Sequence, residues 1–152
     1  MKDKQLIVNA IKNGTVIDHI PARSLFKVIS ILNLERIDSQ ITFGTNLESK
    51  RLGSKAIIKI ADKYFLDEEI NKISLVAPQA KLNIIRDYEV IEKRVVEVPD
   101  SIVGIIKCVN PKCITNYEAM TTKFQVIIDD EVHLKCFYCE KITQQDQMTL
   151  II

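Results

Sequence analysis

The chain has 152 residues, 47% hydrophobic and 27% charged, which suits one ordinary domain or two small ones and excludes disordered or fibrous classes. Lys and Arg total 21 against 20 Asp and Glu, a formal charge of +1, so the chain as a whole gives no electrostatic case for nucleic acid or membrane affinity. No stretch reaches the roughly 18 uninterrupted apolar residues of a membrane span, and Met1–Gln5 lacks the apolar core of a signal peptide, so the expected location is cytoplasmic.

In chain order, Gln5–Ile11 is a strand candidate ended by the Asn13-Gly14 turn signal. Thr15–Pro21 is a short extended piece. Pro21 then opens a helix whose inward stripe is Ala22, Leu25, Phe26, Ile29 and Leu32, with Arg23, Ser24, Lys27 and Ser30 on the other face. Ile41–Asn46 and Ala56–Ile60 read as strands. Asp67-Glu68-Glu69 opens a second helix with Ile70, Ile73 and Ala77 inward, the acidic residues favouring the positive end of its dipole, and Pro78 stops it. Leu82–Val90, extended to Val96, reads as one long strand.

This order predicts an α+β fold: an N-terminal antiparallel sheet with two helices on one face, ferredoxin-like, over residues 1–97. After Val98-Pro99-Asp100 the pattern changes to short β-type runs at Phe124–Ile128, Val132–Leu134 and Met148–Ile152. A small C-terminal all-β domain is therefore predicted over 98–152, and its cysteines make it zinc-binding. Residues 1–97 carry 16 basic and 13 acidic groups, while 98–152 carry 5 and 7. The smaller part is the acidic one.

All four cysteines fall in that part, at Cys108, Cys113, Cys136 and Cys139, in a C-x4-C and C-x2-C frame. Four thiolates complete a closed tetrahedral zinc shell, and Asn110-Pro111 favours the turn a metal knuckle needs. The alternatives are two disulfides, four buried free thiols, an iron–sulfur cluster or a redox dithiol. Without a secretion signal, disulfides are disfavoured by a reducing compartment. Four cysteines leave no open coordination position for water, so the metal is expected to be structural. His133 is read as a strand residue outside the ligand set. With Zn²⁺ on four thiolates, residues 98–152 go from −2 to −4.

No P-loop, G-x-G-x-x-G or G-x-S-x-G motif is present, which weakens enzyme readings. The Asp18-His19 pair is a weak acid–base candidate, because neighbours on an extended backbone point to opposite sides. Lys59, inside Ile57-Ile58-Lys59-Ile60, either lies on an open face or awaits an anionic partner. A zinc-ribbon nucleic-acid module is the rival class for the cysteine frame, and the acidic balance of 98–152 opposes it.

Three segments together are more specific than the cysteine frame: Ala10–Pro21 (AIKNGTVIDHIP), Leu75–Ala80 (LVAPQA) and the frame itself with Cys136-Phe137-Tyr138-Cys139-Glu140. With Ile41–Leu47, they resemble the regulatory chain of aspartate carbamoyltransferase over the whole length. The resemblance implies a non-catalytic subunit that controls pyrimidine synthesis. Its first domain would bind nucleoside triphosphates, with CTP as inhibitor, ATP as activator and UTP acting with CTP. The matching effector positions are Ala10, Ile11, Val16, Asp18, His19, Lys59, Asn83, Ile85, Tyr88, Val90 and Lys93. Lys59 and Lys93 would neutralise phosphates, and Mg²⁺ would offset the charge two lysines leave over. The resemblance also implies that the zinc domain docks on the catalytic chain, with Asn110, Glu118 and Tyr138 at matching interface positions. Lys112 stands where the family often has Asn. Pairing with a second regulatory chain is expected along an edge strand such as Ile41–Asn46.

Overall fold

The computed structural model describes residues 10–151. They form two compact units, the first ending at Glu97 and the second beginning at Val98. Most of the strand expected over Gln5–Ile11 lies outside the described residues, and Ala10 and Ile11 carry no regular structure.

The first unit runs β1 (Gly14–Pro21), α1 (Leu25–Ile31), β2 (Ile41–Ser49), β3 (Gly53–Ala61), α2 (Asp67–Lys72), β4 (Lys81–Arg86) and β5 (Glu89–Val95). The strands make one antiparallel sheet in the order β2-β3-β1-β4-β5. Alternation gives the sheet two distinct faces. Phe43, Ile58, Ile17, Leu82 and Arg94 lie in register across one of them, and Ile58, Ile17 and Leu82 are fully buried. The helices belong to this face: Phe26 of α1 meets Phe43 edge to face at 6.3 Å, and Arg94 bonds Asp67 at the start of α2 at 2.6 Å. Leu25, Val28, Ile70 and Ile73 complete the core.

Two local expectations change. Phe26 is 67% exposed and Ser24 is buried, the reverse of the predicted stripe. A 3-10 turn over Ala22–Ser24 precedes α1, and its tighter winding rotates the residues that follow. The long strand read through Leu82–Val96 is instead the hairpin β4–β5. Its turn residues Asp87 and Tyr88 have φ of 50° and 67°. A tight hairpin needs left-handed backbone at both positions, for which Asn-Gly is the usual signal, and Asp-Tyr conceals it. Chain residues just before β1 hold the turn: Asn13 Oδ1 accepts from the Asp87 N–H at 3.1 Å, and the Lys12 carbonyl accepts from the Tyr88 N–H at 2.9 Å.

Gly14 starts β1 with φ of 138°, and a Cβ there would lie 2.1 Å from the Ile60 carbonyl oxygen. Both the backbone angle and the contact require glycine. Gly14→Ala is expected to destabilise the first unit by about 3 kcal/mol, read as a lowered denaturation midpoint.

The second unit contains β6 (Ser101–Val103), β7 (Ile106–Lys107), β8 (Lys123–Ile128), β9 (Val132–Cys136), β10 (Ile142–Thr143) and β11 (Thr149–Leu150). They form a four-stranded sheet, β10-β9-β8-β6, and a β11-β7 ribbon. Its core is small: Ile102, Ile106, Phe124, Leu134 and Met148 are its large buried aliphatic, aromatic and thioether groups besides Val132. Among the described residues no helix is long and apolar enough to cross a membrane.

Candidate functional site

β7 leads directly to Cys108, and Cys113 closes the first turn, where the Cys113 N–H donates to the Asn110 carbonyl at 3.0 Å. β9 ends at Cys136, and the Glu140 N–H donates back to its carbonyl at 2.9 Å. These two knuckles bring four sulfurs within 4.8 Å of one another. Contacts run between the knuckles, Cys108 to Cys139 and Cys113 to Cys136, each at 3.7 Å. A tetrahedral shell with about 2.3 Å per sulfur has edges of about 3.8 Å, so the spacing fits zinc, and the thiols are not joined as disulfides.

The electrostatics favour a cation at the centre. Burial pushes the Cys108 thiol up to about 12 and raises that of Cys136. At Cys139 burial is outweighed by hydrogen bonds from the Asn110 side chain, the Lys141 backbone and the neighbouring thiols, leaving it at about 7. Several thiolates together in this site need a compensating positive charge. His133 lies outside the cluster, its Nε2 2.9 Å from Asp129 Oδ1.

Around the knuckles Ile114, Tyr117, Phe137 and Tyr138 are exposed, and Lys123 lies over the Phe137 ring at 4.8 Å. Asn110 faces inward to the turn, its Oδ1 accepting from the Lys112 N–H at 3.0 Å. Lys112 and Glu118 are exposed.

The first unit gathers the other candidate residues on the sheet face opposite the helices. Lys59, Val16, Asn83 and Lys93 are successive partners across β3, β1, β4 and β5, and Thr42 of β2 extends the row. Ile85 lies two residues along β4 from Asn83, opposite Gly14 and Val90. Ala10, Ile11 and Tyr88 line a cavity of about 300 Å³ with Gln40, Thr42 and Asp62. Thr42 belongs to both the row and the cavity.

Asp18 lies along β1 from Val16, and the strand is bulged between Ile17 and Ile20. His19 takes φ of 60° in that bulge. Strict alternation is therefore broken, and the Asp18 and His19 side chains approach to 3.7 Å instead of pointing apart. The His19 N–H also donates to Asp18 Oδ1 at 2.6 Å. His19 Nδ1 is buried without a hydrogen-bond partner.

Lys55, absent from the sequence-derived set, pairs with Asp18 at 3.0 Å. Lys59 is 9% exposed, and burial holds its ammonium below the usual lysine range while Asp18 opposes that shift. Three lysines thus border one face. Lys55 was concealed because its place beside Asp18 depends on the bulged β1–β3 register, which local spacing does not report.

These features define a two-domain α+β protein whose smaller domain is built around a four-cysteine metal centre. The chain belongs to the family of aspartate carbamoyltransferase regulatory chains. The family's allosteric domain matches residues 6–97, and its metal binding domain matches residues 100–149. Relatives carrying that name include those of Bacteroides fragilis, 59% identical over 99% of both chains, and Bacteroides thetaiotaomicron, 58% identical over the same shares. The archaeal chain of Pyrococcus horikoshii is 51% identical over 95% of this chain and 96% of its own. It is thus a regulatory and not a catalytic chain.

Proposed function

We propose that residues 1–97 bind nucleoside triphosphates and that residues 98–152 hold one structural Zn²⁺ and dock on the catalytic chain in the cytoplasm. CTP acts as inhibitor, ATP as competing activator, and UTP acts with CTP. The observation that carries this reading is the row of Lys59, Val16, Asn83 and Lys93 on the helix-free face. Lysines at both ends suit phosphates, each as a mobile cation, while Asn83 offers both amide donor and acceptor groups between them.

Val16, Ile85 and Val90 supply apolar contact for a ribose or base. Ala10, Ile11 and Tyr88 border the adjoining cavity and suit the base. Asp18 fits a ribose hydroxyl or Mg²⁺, and the His19 ring beside it suits a position near the phosphates. Calorimetry with the full-length chain tests the pocket: CTP is expected to bind once per chain, and ATP to displace it. Absence of binding by either nucleotide would remove this function.

Zinc is favoured by the four-sulfur set and its edge lengths. Bound there, it supplies a closed cross-link between the knuckles, and Cys108, Cys113, Cys136 and Cys139 hold it. The exposed Ile114, Tyr117, Phe137 and Tyr138, with Asn110 and Glu118 nearby in the chain, form the surface we assign to the catalytic chain.

Homodimerisation is assigned to edge strand β2, where Phe43 is 46% exposed beside Phe26. The bulge between Gly44 and Leu47 limits regular pairing to the start of the strand. Phe43→Asp is expected to weaken the regulatory dimer at least about tenfold in sedimentation while leaving CTP affinity unchanged, because burying a carboxylate at an apolar contact is costly.

A further inference from the structure

We infer that Thr115 and Asn116, neither of them a metal ligand, act together as a clasp that fixes the first knuckle and tunes one of its sulfurs. This rests on the zinc reading above and extends it to residues outside the ligand set.

The clasp begins immediately after Cys113, with a 3-10 turn over Ile114–Asn116. Thr115 Oγ1 donates to Cys113 Sγ at 3.2 Å. Asn116 Nδ2 donates to two carbonyls at once, that of Asn110 at 2.7 Å and that of Cys108 at 3.2 Å. The Asn116 N–H donates to the Cys113 carbonyl at 2.9 Å. One short turn therefore ties both cysteines of the first pair, Cys113 through its sulfur and Cys108 through its backbone.

The two residues do different work. A hydroxyl hydrogen bond draws negative charge from a thiolate and restrains its rotamer, so Thr115 acts electronically on Cys113. Asn116 touches no sulfur and acts on the shape of the loop. Cys139 is the partly exposed member of the set, whereas Cys108 and Cys113 are buried. With Cys136 also buried, a clasped first knuckle makes Cys139 the point at which the centre opens.

Cobalt substitution of the full-length chain separates these roles, because the sulfur-to-cobalt charge-transfer band responds to charge on the sulfurs. Thr115→Val, similar in volume but without the donor, is expected to move that band to lower energy and to speed cobalt loss to a chelator about tenfold, the lower end of the usual effect of such partners. Thr115→Ser is expected to restore both. Asn116→Ala is expected to speed release while leaving the band in place. An unshifted band in Thr115→Val, a shifted one in Thr115→Ser, or unchanged release from Asn116→Ala would overturn the clasp. A wild-type chain that forms no cobalt–thiolate band would overturn the zinc reading and the clasp with it.

Discussion

Chelation of the metal, or Cys136→Ser, is expected to unfold residues 98–151 while the sheet of the first unit keeps its protection against amide exchange. The second unit has few large buried side chains, and a 55-residue segment lies in the size range where a core alone is marginal. A structural zinc typically contributes about 10–16 kcal/mol of apparent binding free energy, as much as the whole stability of a typical domain. With the metal gone, the two knuckles lose their cross-link and β8 and β9 lose the anchor at Cys136. Association with the catalytic chain is expected to disappear at the same step.

The effect has a definite pH direction. Metal binding requires thiolates, so protons compete with the metal and affinity falls as pH falls. Before metal enters, burial pushes the Cys108 thiol up to about 12. Amide exchange with and without chelator reads the result. Apo chain that keeps full protection in β8 and β9 would show that the metal is not what holds this unit together.

Lys59→Ala and Lys93→Ala are each expected to weaken CTP binding by roughly 30-fold, the effect of losing a charge-assisted contact worth about 2 kcal/mol. The double variant is expected to bind about 900-fold more weakly if the two contacts act independently. Lys55 remains to pair with Asp18 in the Lys59 variant, so the sheet is expected to persist, and circular dichroism checks that. Unchanged CTP affinity in both single variants would remove these lysines from the pocket.

Lys59 adds a second reading of the same contact. Burial lowers its pKa, with Asp18 in opposition, and a bound triphosphate would raise it again. Between those two values binding takes up a proton, and affinity falls as pH rises through the lowered value of the free chain. Calorimetry in buffers of different ionisation enthalpy measures that uptake. Lys59→Ala should abolish it.

Much of the first unit was legible because its signals are local. The extended piece Thr15–Pro21, the strand run Ala56–Ile60, Pro21 before the first helical turn and the acidic run opening α2 each mark an element directly. What stayed hidden depends on partners distant in sequence. The Asp87–Tyr88 turn relies on Lys12 and Asn13, and the approach of His19 to Asp18 on a bulge set by pairing with β3. The metal ligands show the same division: spacing identifies the two cysteine pairs, but the contacts of Cys108 with Cys139 and Cys113 with Cys136 arise only when the knuckles meet. Lys59 was legible as an anomaly in an apolar strand, whereas Lys55 and the Thr115–Asn116 clasp carried no such mark.

Carbamoyl transfer by complexes reconstituted from this chain and an aspartate carbamoyltransferase catalytic chain, measured with CTP and with ATP, tests the central claim most directly. The expected result is lower activity with CTP and higher activity with ATP at subsaturating aspartate. Complexes carrying both Lys59→Ala and Lys93→Ala should assemble yet no longer respond, and the isolated regulatory chain should show no turnover. Assembled wild-type complexes indifferent to both nucleotides, or turnover by the purified chain alone, would contradict the account.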